Sequence, residues 1–97
     1  MNKKTELIIV KSLVKEILTE DTRARNSDSY LYLKVLEALS STNKVDVTNV
    51  PIKDFLLNMS AWGFPPFETV RRSRQQLQHD LSELSASEEV QEARAEN

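Results

Sequence analysis

Residues 61–78 read AWGFPPFETVRRSRQQLQ, and the parsing of this stretch decides the fold. Gly63 is the only glycine in the chain, and glycine takes the left-handed conformation that closes a helix. Pro65 and Pro66 cannot continue a helix, because a proline lacks the N–H and its ring collides with the preceding turn. Pro66 does suit the first position of a new helix. The stretch therefore separates two helices. Downstream, Phe67, Val70, Arg74, Leu77, Leu81 and Leu84 recur at three- and four-residue steps. That spacing predicts a long helix from about Pro66 to Leu84 with this face inward and Glu68 in its first turn. Upstream, Pro51 opens a short helix with Ile52, Phe55, Leu56 and Met59 on one face, ending near Ser60.

Working outward, residues 4–19 carry Leu7, Val10, Leu13, Val14, Ile17 and Leu18 at helical spacing, and Ile8 and Ile9 widen the apolar face. Residues 20–26 are polar and read as a connection. A second helix is expected from about Ser27 to Leu39, capped by Asn26 or Ser27, with Asp28 in its first turn. Residues 40–49 read as loop. Ser85-Ala86-Ser87-Glu88 fits a capping box, so residues 85–97 form an acidic C-terminal helix or a frayed tail. The expected fold is an all-α single small domain of four to five helices. Its compact part is 1–84, with a helix-turn-helix-like unit at 51–79.

Composition narrows the chemistry. Among 97 residues there is no cysteine, one histidine and one glycine. A thiolate nucleophile, a Cys-based zinc site and a Gly-rich phosphate loop are thereby excluded. His79 with Asp80 and Glu83 is too thin a set for a metal. Glu88 and Glu89 are adjacent, so on a helix they diverge by about 100° and cannot share a proton. No serine has an evident base and orienting acid. The reading is a protein that is not an enzyme, with no cofactor, no metal and no small-molecule substrate. No apolar run is long enough to cross a membrane, and Met1-Asn2-Lys3-Lys4 leads into a mixed segment unlike a signal peptide. No membrane association is expected, and the expected location is the cytoplasm.

The net charge is −2 and unevenly spread: residues 80–97 carry six carboxylates and one arginine. Ahead of them lies the cluster Arg71, Arg72 and Arg74. At 100° per residue, Arg72, Gln75, Gln76 and His79 point away from Val70 and Leu77, with Arg71 on the flank. Arginine pairs with guanine and glutamine with adenine in a major groove, so Arg71, Arg72, Gln75, Gln76 and His79 are the expected DNA- or partner-binding residues. The competing reading is a solvated helical face, since Arg and Gln are good helix formers. Arg74 is expected to snorkel or pair internally. Trp62 and Phe64 are a candidate protein-contact patch; aromatic residues beside a helix connection also serve as core pins.

The block at 63–78 resembles one found in small helical proteins of Gram-positive phages and prophages. In those, a glycine and a proline precede a helix of the form Glu-[Ser/Thr]-[Ile/Val]-x-Arg-x-Arg-[Arg/Gln]-x-[Ile/Leu]-Gln. Here the matching residues are Glu68, Thr69, Val70, Arg72, Arg74, Gln75, Leu77 and Gln78. Residues 22–33 and 83–90 are similar to the same group, and Pro66 stands where a serine is common. The resemblance implies a phage or prophage origin, a bacterial host cytoplasm and a compact helical fold, and it brings no activity with it. Two functions follow as expectations. One is a DNA-binding or regulatory protein reading DNA with helix 66–84. The other is a phage inhibitor that blocks a host protein such as a defence nuclease, in the manner of an anti-CRISPR protein. Its acidic segment, residues 80–96, is then a candidate mimic of a nucleic-acid backbone. A homodimer through Leu and Trp surfaces is a third reading.

Overall fold

The computed structural model describes residues 3–96, with side chains from 7 to 95; Met1, Asn2 and Asn97 of the ranges above lie outside it. The chain is all-α. The described residues form six α-helices, α1 Lys3–Glu20, α2 Thr22–Asn26, α3 Asp28–Asn43, α4 Ile52–Asn58, α5 Phe67–Asp80 and α6 Glu88–Glu96, with a 3-10 turn at Ser82–Leu84 between α5 and α6.

The count exceeds the expected four to five for two local reasons. Within the polar connection, the Asp21 carboxylate accepts from the Arg23 N–H at 3.1 Å and caps the short helix α2. In the C-terminal segment, Ser87 rather than Ser85 is the cap: its Oγ accepts from the Val90 N–H at 3.3 Å, and residues 88–96 are helical. α3 also runs past Leu39. Ser40 Oγ donates back to the Leu36 carbonyl at 2.9 Å, which lets a serine sit inside a helix, and the helix ends on Lys44 with φ 57°. At its start Ser27 Oγ accepts from the Tyr30 N–H at 3.2 Å, as capping predicts.

The helix expected over 66–84 breaks at Leu81, whose backbone is extended. Gln78 Nε2 donates to the Leu84 carbonyl at 2.9 Å and draws the chain off the helix axis. Leu84 is still buried. Phe67 is 40% exposed rather than inward; its ring meets Tyr32 edge-on, with centroids 5.3 Å apart.

Two apolar clusters share this framework. The larger is built from Val10, Val14 and Leu18 of α1, Ala24 of α2, Leu31 and Val35 of α3, and Val70 and Leu77 of α5, closed by Leu84. The smaller holds Leu36, Phe55 and Phe64, with Trp62, Met59 and three valines of the 45–50 loop packed against it. Tyr32 and Leu39 touch both. Gly63 has φ 84°, and a Cβ there would stand 3.3 Å from the Asn43 amide nitrogen. Glycine is thus needed for both the backbone conformation and the close approach.

The helices of the expected helix-turn-helix-like unit exist, but their relationship differs from that motif. Eight residues, 59–66, separate α4 from α5, against the usual three or four. α5 is braced by α1 and α3. α4 is held on the small cluster through Phe55, whose ring lies 5.6 Å from that of Phe64.

Candidate functional site

α5 presents an outer and an inner face. On the outer face Arg72, Gln75, Gln76 and His79 are exposed and Arg71 is half-buried on the flank, as helical geometry predicts. Their electrostatics are less basic than the sequence suggests. Glu68, one turn before the arginines, accepts from Arg71 Nε at 2.9 Å and from its Nη2, and from Arg72 Nε at 3.2 Å. The two-pronged Arg71 contact holds the Glu68 carboxyl down from 4.5 to about 2. His79 Nδ1 lies 3.2 Å from an Asp80 carboxylate oxygen. The helix start that would favour a phosphate is already provided with the Glu68 charge.

This ion cluster is directly testable. A carboxyl whose folded pKa is depressed adds stability above its unfolded pKa, which is lost as pH falls through the folded value. For Glu68 the window runs from 4.5 down to about 2. In a carboxyl NMR titration Glu68 is expected to titrate near 2 in the wild type and to move back toward 4.5 in Arg71→Ala. An unshifted Glu68 in the wild type would show that the cluster does not persist in solution.

The inner face of α5 carries Val70, Arg74, Leu77 and Gln78. Val70 and Leu77 enter the large cluster. Arg74 is buried, and its guanidinium makes two bonds to Asp28, Nε to Oδ1 at 2.8 Å and Nη2 to Oδ2 at 3.0 Å. Gln78 Nε2 donates to the Arg25 carbonyl at 3.1 Å as well as to Leu84. From α6, Arg94 Nη1 reaches the Arg25 carbonyl at 3.2 Å and Gln78 Oε1 at 3.3 Å, while its Nη2 stands 3.7 Å from Asp28. Burial, and then the charge of Arg74, hold the Arg94 guanidinium below its ordinary pKa. Arg25 itself donates from Nε to the Leu18 carbonyl at 2.7 Å, capping α1. These residues form a polar knot that ties α1, α2, α3, α5 and α6 together. Sequence reasoning reached Arg74 as an internal pair but missed Asp28, Gln78, Arg25 and Arg94. Gln78, four residues after Arg74, carried a local signal in its helical spacing; Arg25, Asp28 and Arg94 are distant from Arg74 in sequence and carried none.

The aromatic patch divides. Phe64 is 3% exposed and belongs to the core, so it is not part of a contact surface. Trp62 is half-buried against the same cluster. The apolar side chains facing solvent lie elsewhere. Of Ile52, Phe55, Leu56 and Met59, which the spacing places on one face of α4, only Phe55 is buried, and Met59 falls just past the helix end. Ile52, Leu56 and Leu57 are 71%, 62% and 74% exposed. The reason is local: residues 45–50 and 59–64 occupy the small cluster that α4 would otherwise cover.

Among the described residues no three His, Cys, Asp or Glu side chains are grouped to hold a metal, and no helix is long and apolar enough to cross a membrane. No protein-family profile, curated protein or solved structure matches the chain.

Proposed function

We propose that this chain is a non-catalytic protein-binding module, of the kind a phage uses to occupy and block a host protein such as a defence nuclease. The observation that carries this reading is the apolar face of α4. A two-turn helix is not stable in water by itself, and Phe55 anchors this one to the body. Ile52 and Leu56, one turn apart, point outward with Leu57 beside them. Contiguous apolar side chains on a protein surface mark a contact site more often than isolated ones do.

The reading is tested by capture from a Gram-positive host lysate with tagged protein, with and without nuclease. One host protein is expected to remain after nuclease treatment and to be lost with Ile52→Asp or Leu57→Asp, whose helical circular dichroism stays intact. Equal capture by those variants overturns it. A second reading, DNA contact through α5, is favoured by the shared exposure of Arg72, Gln75, Gln76 and His79. It is weakened by Glu68, which offsets one of the two arginine charges at the helix start. Captured material that disappears with nuclease selects that reading, and its affinity then falls steeply with salt.

A further inference from the structure

A different surface supports an inference that goes beyond the α4 reading. α1 outruns the core at its start. Leu7 continues the inward stripe of Val10, Val14 and Leu18 at helical spacing, yet it is 53% exposed, and Ile8 beside it is 59% exposed. Along the next part of α1 a shallow groove opens against α5, lined by Ile8, Lys11, Ser12, Lys15 and Leu77. Its floor is apolar and its rim carries two lysines one helical turn apart, about 6 Å. Among the described residues the ion pairs are Arg71 and Arg72 with Glu68, Arg74 and Arg94 with Asp28, and His79 with Asp80. Lys11 and Lys15 belong to none of them.

We infer that this groove docks an acidic amphipathic helix of a protein partner, with apolar side chains over Ile8 and Leu77 and carboxylates one turn apart meeting Lys11 and Lys15. Charge complementarity selects this occupant. The groove is shallow, with about 270 Å³ of space, and side chains laid along it can fill it. A phosphodiester backbone would satisfy the lysines and leave Ile8 facing charge, whereas an acidic amphipathic helix satisfies both. A second copy docked groove to groove would bring its own Lys11 and Lys15 toward these lysines, which like-charge repulsion disfavours.

The experiment is a titration of the full chain, followed by amide and side-chain NMR shifts, with a synthetic helical peptide bearing a leucine stripe flanked by glutamates. A peptide with lysines in place of the glutamates and a short DNA duplex are the comparison probes. The glutamate peptide is expected to bind, with the shifts centred on Ile8, Lys11, Ser12, Lys15 and Leu77. The double variant Lys11→Glu, Lys15→Glu is expected to lose at least about tenfold in affinity for it and to gain affinity for the lysine peptide. That exchange of preference would not follow from a general loss of structure. Absence of binding, shifts centred elsewhere, equal binding of both peptides, or tighter binding of the duplex at these residues each overturns the inference. Ile52→Asp leaves this titration unchanged, so failure here and failure of the α4 reading are separate results.

Discussion

Asp28→Ala is expected to destabilise the fold by about 3 kcal/mol, read as a lower denaturant midpoint with an unchanged slope. The magnitude comes from what the substitution leaves behind. Arg74 has only 7% of its side chain exposed, and Asp28 is its only carboxylate partner among the described residues. Removing that carboxylate leaves a guanidinium in the interior with a single long bond to Gln78 at 3.5 Å. Breaking one side of a buried pair is costlier than replacing both sides with apolar groups. The double variant Asp28→Leu, Arg74→Met is therefore expected to be more stable than Asp28→Ala alone. Asp28→Asn, which keeps an acceptor, falls in between. Arg72→Ala serves as the control: its side chain is 75% exposed, and the midpoint stays where it was, because exposed ion pairs contribute little. If Asp28→Ala behaved like Arg72→Ala, the polar knot would have no role in holding the fold.

Phe64→Ala carries the second large effect, a loss of about 3–5 kcal/mol. The ring is 3% exposed and packs with Leu36 and Phe55, the other two buried side chains of the small cluster. The loss combines the transfer free energy of the ring with the cavity that the surrounding side chains only partly fill. Trp62→Ala is expected to cost less, because Trp62 is half-buried at the edge of the same cluster. Against a total stability of about 5–15 kcal/mol for a domain of this size, Phe64→Ala brings thermal unfolding close to physiological temperature. A variant that kept its melting temperature would return Phe64 to the surface role that its aromatic character suggests.

The two substitutions show which parts of the structure were legible in the sequence. The existence and starts of α1, α3 and α5 follow from apolar spacing, the Ser27 cap and the Pro66 break, all local signals, whereas the ends of α3 at Asn43 and α5 at Asp80 do not. The outward face of α5 follows from the same geometry. Arg74 reads as an internal pair because it falls on the stripe with Val70 and Leu77. Its partner does not read out, since Asp28 lies 46 residues away, and at that separation only the fold brings them together. α4 shows the opposite failure. Its spacing is that of a core helix, and Ile52 and Leu56 are nevertheless exposed, because Val45, Val47, Val50 and Trp62 already cover the small cluster. Periodicity says which residues share a face. It does not say whether another segment reaches the core first. The pairing of Glu68 with Arg71 and Arg72 is a local matter of three- and four-residue spacing, and the structure shows both contacts.

Tyr32 links regions that the sequence keeps apart. Its ring touches both apolar clusters and meets Phe67 at the start of α5, and its hydroxyl donates to the Pro65 carbonyl at 2.7 Å. Burial raises its pKa, so the phenol stays protonated and the hydroxyl remains a donor at neutral pH. This residue of α3 therefore fixes the end of the 59–66 segment that leads from α4 to α5. The exit of the 59–66 segment and the first turn of α5 thus hang on one side chain, through one hydroxyl–carbonyl bond and one ring contact.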